Sequence, residues 1–315
     1  MANCDNLFKE FNNTIKLSES KKDSLRTSRN SLREKVKNKF KEKGGYDLKF
    51  HWQGSFAMNT IILPKDADYD IDDGAYIHGD KVPTESIESL HSWIIEAAEE
   101  HTTLPPKDKA TCVRVFFKEK YHVDLVLYHK KSNLHPQLAN KNLGWTDSDP
   151  KEFIEWFNAR RDDGGQLKRV VRYFKGWADE LRGEMPSGLI FTILVTNNIR
   201  FNDRDDVSFL ETLESIHSTL NSQFVCYRPT TPANENLLGS YSETRRKYFM
   251  ERLSSFIQSG KQALELSNQK DACPKWQKHF GERFPCNLAE DKLEGSKSFD
   301  APAFIKSDAR SANQT

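Results

Sequence analysis

The stretch QGSFAMNTIILPKDADYDIDD, Gln53 to Asp73, decides the fold. Asp70 and Asp72 are separated by Ile71, and in a strand alternate side chains share a face, so the two carboxylates project together while Tyr69 and Ile71 point the other way. Like charges side by side repel, and a hard cation such as magnesium relieves that, binding through one or two carboxylates together with substrate phosphates and water. At the other end of the stretch, Gly54-Ser55 follows the alternating residues Leu48, Phe50 and Trp52, which predict a strand ending at Gln53. Glycine lets backbone amides approach an anion and a serine hydroxyl adds a donor, so this turn suits a phosphate. Taken singly, a Gly-Ser pair is an ordinary turn and an Asp-x-Asp an ordinary solvated strand edge. Their order within one short span is what points to a site.

Outward from this stretch, Thr111 to Phe117 and Tyr121 to Tyr128 alternate on either side of Lys118-Glu119-Lys120, which predicts a β-hairpin. Asp124 is a lone carboxylate in its second, apolar strand. It needs a partner there. Either a metal shared with Asp70 and Asp72 supplies one, or a cross-strand salt bridge to Arg114 does.

Upstream, helical periodicity covers Asn6 to Leu17 and Lys21 to Lys43, the second with Leu25, Leu32, Val36 and Phe40 as a narrow apolar seam and Gly44-Gly45 as its stop. From Asp149 the pattern is helical, apart from an extended segment at Phe224 to Pro232. Gln166 to Arg182 carries Lys175 three residues after Arg172, so both share a face. Pro186-Ser187-Gly188 opens an apolar helix, and Ser187 lies at its N-terminus, where unsatisfied amides favour phosphate. The reading is two lobes, residues 1–148 with the long N-terminal helices and 149–294 helical, followed by a polar, flexible tail over 295–315 with Phe299 and Phe304 as docking points.

The 315 residues suffice for such a core, and 47 basic against 46 acidic side chains leave no global field for binding bulk DNA. No apolar run spans a bilayer and the N-terminus lacks a signal peptide's apolar core, which places the chain in the cytoplasm without a membrane partner. Cys4, Cys112, Cys226, Cys273 and Cys286, odd in number and scattered, are expected as reduced thiols. Cys273, His279 and Cys286 offer a zinc site only three ligands.

Gly54-Ser55, Asp70-Ile71-Asp72, Asp124 within HVDLVLY, the helix LKRVVRYFKGW and the Pro-Ser-Gly helix start together resemble the cGAS/DncV-like nucleotidyltransferases of bacterial antiphage systems, from about Lys49 to Pro285. The resemblance implies an α+β, bilobal polymerase-beta-like fold, with a mixed sheet in the catalytic lobe, a helical second lobe and the active site in the cleft between. It implies two magnesium ions, with manganese as a substitute, on Asp70, Asp72 and Asp124. Gln53, Gly54 and Ser55 would hold a triphosphate from one side, Lys175 and Ser187 from the other, and Arg172 would lie near the acceptor nucleotide. Substrates would be ATP, GTP or both, and the product a cyclic dinucleotide of the cGAMP kind that signals to an effector, with a regulatory protein binding the tail. An enzyme making linear oligonucleotides, one extending RNA ends, and a nucleotide-binding module without catalysis are the alternatives. Tyr76, Tyr128, Tyr227 and Arg228 are candidate base contacts, equally plausible as core or loop residues.

Overall fold

The computed structural model describes residues 2–66, 69–99, 102, 104–117 and 121–290. The expected turn at Lys118-Glu119-Lys120 and the tail over 295–315, with Phe299 and Phe304, lie outside them. Helices α1 (Asp5–Ile15) and α2 (Glu19–Gly44) are followed by strand β1 (Leu48–Trp52), the single turn α3 (Gly54–Ala57), strand β2 (Tyr69–His78) and helix α4 (Ile87–Glu99). Then come β3 (Lys107–Asp108), β4 (Val113–Phe117), β5 (Tyr121–Lys130), β6 (Gln137–Asn140) and β7 (Gly144–Asp147). Six α-helices follow among the described residues: α5 (Pro150–Asn158), α6 (Gln166–Leu181), α7 (Gly188–Asn198), α8 (Asp205–Ser222), α9 (Glu243–Glu265) and α10 (Gln269–Phe280).

The sheet is mixed, in the order β1-β2-β5-β4-β3, with the β6–β7 hairpin attached to β5. β2 and β5 are parallel, and the other pairs antiparallel. On one face, Ala75, Ile77, Val113, Val115, Val123, Leu125 and Leu127 pack under α2 and α4. The seam of α2 does what its spacing requires: Leu25, Leu32, Val36 and Phe40 are fully buried, and Phe40 meets Trp93 of α4 edge-on. Asp73 points to this same face because it lies one residue past Asp72 in the alternation. There it is buried and held by the Arg33 fork of α2, whose Nε donates to Oδ2 at 2.6 Å. The pair fixes α2 to the strand that carries the acids.

A second core gathers α5 to α10, and α1 joins it rather than the sheet. Phe8 is ringed by Tyr173, Phe209, Trp276, Phe280 and Phe284, with centroids 5.0 to 5.7 Å away. Of the expected first unit, residues 1–148, helix α1 thus packs with the helices that follow residue 148. Both N-terminal helices precede the sheet in sequence, but the aromatic stripe of α1 fits only the aromatic helical core.

Two expectations change. Cys273 and Cys286, with Cα atoms 5.6 Å apart, form a disulfide, so only Cys4, Cys112 and Cys226 are free thiols, all buried. The zinc trio loses both its sulfurs, and His279 instead meets the Ser259 hydroxyl at 2.8 Å. No helix among the described residues is long and apolar enough to cross a membrane.

Candidate active site between sheet and helices

The remaining face of the sheet carries the acids. Register places Asp72 beside Asp124 and Asp70 beside His122 on the parallel strands β2 and β5, with Arg114 of β4 across from Asp124. Asp70 is exposed, Asp72 half-buried and Asp124 buried. Burial first, then the neighbouring Asp70 and Asp124, push the Asp72 carboxyl up to about 7. Asp124 goes the other way: burial opposes its charge, yet hydrogen bonds from Arg114 hold its carboxyl below the ordinary carboxylate range. The expected salt bridge to Arg114 is present, through Nε to Oδ1 and Nη2 to Oδ2, each at 2.7 Å.

These residues fit a divalent cation. One ligand atom each from Asp70, His122 and Asp124 lie within 4.8 Å of one another. Asp72 completes the acidic row from the neighbouring register position, where burial and then the charges of Asp70 and Asp124 raise its proton affinity.

The turn before the acids is built to meet them. The Gln53 amide donates to the Asp72 carbonyl at 3.1 Å, closing β1 onto β2. Gly54 then adopts φ of +59°, and a Cβ placed there would stand 2.0 Å from Asp72 Oδ2. Only glycine admits that approach. The single turn α3 follows, presenting Ser55 to a cavity of about 500 Å³. The cavity is walled by α3, by Tyr69, Asp70 and Asp72 of β2, by the β7–α5 junction, by α6 and α7, and by Arg228, Thr230 and Thr231.

Lys175 faces the acids from the helical side. It is buried, Nζ donates to Thr60 O and Thr60 Oγ1 at 3.2 Å each, and burial, reinforced by Arg172, lowers its pKa to about 7. Gly188 at the start of α7 keeps space for it, since a Cβ there would lie 3.3 Å from Lys175 Cε.

Three of the expected contacts have side chains engaged within the protein. Arg172 does not line the cavity: its Nη1 donates to Asn12 Oδ1 and its Nη2 to Asn59 O, each at 2.6 Å, tying α1 and the loop after α3 to α6. The Ser187 hydroxyl caps its own helix by accepting from the Ile190 amide at 3.4 Å, and it is Gly188 and Leu189 that reach the cavity. Gln53 borders the cavity, but its side chain is taken up by the Tyr76 and Tyr128 hydroxyls at 2.9 and 3.4 Å. Those two tyrosines are stacked on each other, centroids 4.7 Å apart, and buried. Tyr227 is exposed, while Arg228 is on the cavity wall. The sequence reading missed Ser148, Asp149, Thr230 and Thr231, which border the cavity. Asp149-Pro150 is a legible helix start, with Asp149 Oδ1 accepting from the Glu152 amide at 3.1 Å. Thr230 and Thr231 lie in an irregular segment without periodicity.

Comparison with known proteins agrees with this geometry. Residues 48–128 match the family model described as the nucleotidyltransferase domain of cyclic GMP-AMP synthase DncV-like proteins. A cyclic GMP-AMP synthase from Escherichia albertii is 29% identical over 256 residues, 74% of this chain and 57% of that protein, so the match spans little more than half of the relative's length. The apo form of Vibrio cholerae DncV superposes with a TM-score of 0.76 at 20% identity, covering 91% of this chain and 98% of that one. Vibrio cholerae DncV in complex with the linear intermediate 5' pppA(3',5')pG superposes at 0.71, with 20% identity and coverage of 88% and 95%. The fold is that of the DncV structures, and residues 48–128 are similar to a DncV-like nucleotidyltransferase domain.

Proposed function

We propose that the chain condenses ATP and GTP into a cyclic GMP-AMP-type dinucleotide with release of pyrophosphate. The observation that carries this is that Asp70 and Asp72, with Asp124 beside Asp72 on the neighbouring strand, face a buried lysine, Lys175, across the cavity that Asp70, Asp72 and Lys175 line. The names of the relatives, cyclic GMP-AMP synthases, and the linear intermediate held by Vibrio cholerae DncV support the choice of product.

Two divalent ions on the carboxylates would activate a ribose hydroxyl and stabilise the departing pyrophosphate. The chain's own part is positioning. Gly54 and Ser55 lie where a triphosphate would meet backbone amides and a hydroxyl. Lys175 would counter phosphate charge from the helical wall. The hydroxyl oxygen attacks the α-phosphorus, the bond to pyrophosphate breaks, and the hydroxyl proton leaves. A second round on the linear intermediate closes the ring. A role of the product in antiphage signalling, through an effector and with a tail-binding regulator, rests on the family resemblance.

The test is pyrophosphate release from ATP and GTP with magnesium. Release that stops on chelation supports the proposal, and a protein that binds both nucleotides without releasing pyrophosphate contradicts it in favour of a binding module.

Lys175 gives a second check. At pH 8 a lysine with a pKa near 7 is mostly neutral, and a bound triphosphate restores its charge. Asp72 is by then ionised, so metal entry releases little. Nucleotide binding is therefore accompanied by uptake approaching one proton, read by calorimetry in buffers of different ionisation enthalpy. Lys175→Met removes the uptake.

A further inference from the structure

Arg114 stands in an unusual place for a cross-strand partner. It occupies both oxygens of Asp124, and its Nη2 is also 3.8 Å from Asp70 Oδ2. Asp70 and Asp124 are the carboxylates whose ligand atoms, with that of His122, cluster within 4.8 Å. The guanidinium is thus a cation set between the groups that a divalent ion would share. A carboxylate has about four lone-pair positions, and the side-on fork takes one on each oxygen. Arginine cannot yield by losing its proton at any working pH. It gives way only by moving.

We propose that Arg114 is a competing cation built into the sheet: it neutralises Asp124 in the metal-free protein, and metal binding transfers Asp124 from the guanidinium to the ion. This rests on the reading of Asp70, Asp72 and Asp124 as metal ligands. Lys109, whose Nζ is 3.5 Å from Asp124 Oδ2 on a half-exposed side chain, adds to the same neutralisation from farther out. The opposite role for Arg114 is an outer partner that orients Asp124 for the ion, as hydrogen-bonded carboxylates are oriented in many metal sites. The two roles predict opposite signs. Removing a competitor tightens metal binding, and removing an orienting partner weakens it.

The probe is Mn²⁺ alone, with the free ion followed by electron paramagnetic resonance, in the full chain and in Arg114→Gln, Arg114→Lys and Asp124→Asn. Arg114→Gln is expected to bind Mn²⁺ about tenfold tighter or more, because a unit charge a few ångströms from the ion is removed at a partly buried site. Arg114→Lys keeps the charge but loses the fork, and tightens binding by a smaller factor. Asp124→Asn weakens it. In thermal melts, metal-free Arg114→Gln unfolds at a lower temperature than the parent, since Asp124 is left buried without its main partner, and gains more from Mn²⁺. A folded Arg114→Gln that binds Mn²⁺ as weakly as the parent, or more weakly, overturns the proposal while leaving the metal reading intact. Should that variant fail to fold, Arg114→Lys decides by the same criterion. If the parent and Asp124→Asn both fail to bind Mn²⁺, the metal reading falls and this proposal with it.

Discussion

Under the proposed function, Asp70→Asn and Asp72→Asn are each expected to lose at least about a thousandfold in turnover, because each removes a charge from the carboxylate edge that would hold the metal. The loss is not one of folding. Asp70 is exposed, and Asp72 is a carboxylate that the metal-free fold holds at a cost. Burial, with Asp70 and Asp124 nearby, raises Asp72 from the ordinary 3.8 to about 7. The folded protein therefore binds this proton more tightly than the unfolded chain. The stability so gained is complete below pH 3.8 and is lost as pH rises through 7. Asparagine escapes that loss. Metal-free Asp72→Asn should melt above the parent at pH 8, with the difference closing toward pH 4, and magnesium should raise the parent's melting temperature at pH 8 more than the variant's. Differential scanning calorimetry at the two pH values measures this. A variant that is both inactive and less stable at pH 8 would make Asp72 a structural residue.

Gly54→Ala is the second large effect. The substitution sets an L side chain at φ of +59° and puts its Cβ 2.0 Å from Asp72 Oδ2, so either the turn or the carboxylate must move. Shifts of about 1 Å in a positioned group cost on the order of a hundredfold in rate, and turnover is expected to fall by at least about that factor. Gly45→Ala is the control. Its φ is +70° with nothing within 4 Å of the added Cβ, so it carries backbone strain of about 1 kcal/mol and leaves turnover unchanged. Steady-state kinetics on the two variants separate strain from collision: equal losses would mean that the approach of Gly54 to Asp72 is unimportant.

The acids were legible because a strand's alternation is rigid. Asp70, Asp72 and Asp124 follow from a period of two, and the same alternation sends Asp73 to the opposite face, where Arg33 meets it. The hairpin of β4 with β5 was legible for the same reason, and with it the cross-strand Arg114. A helix is less informative. Spacing put Arg172 and Lys175 on one face of α6, but it could not say that Asn12, 160 residues earlier, would cover Arg172 while Lys175 faced the cavity. Ser187 was placed correctly at a helix start, yet a capping hydroxyl satisfies its own backbone before any ligand.

What the sequence hid comes from irregular or long-range structure. The β6–β7 hairpin is short and polar, without a clear alternating pattern. Pro274 reads as a breaker, although α10 runs through it from Gln269. Cys273 and Cys286 carry no local sign of pairing; the fold of α10 back onto its following turn brings them together.

The most direct test is the product itself. The protein is incubated with all four nucleoside triphosphates and magnesium, treated with phosphatase, and examined by mass spectrometry. The account predicts a dinucleotide of one adenosine and one guanosine monophosphate unit that resists phosphatase because ring closure leaves no terminal phosphate. A product that phosphatase trims to a linear oligonucleotide would contradict it.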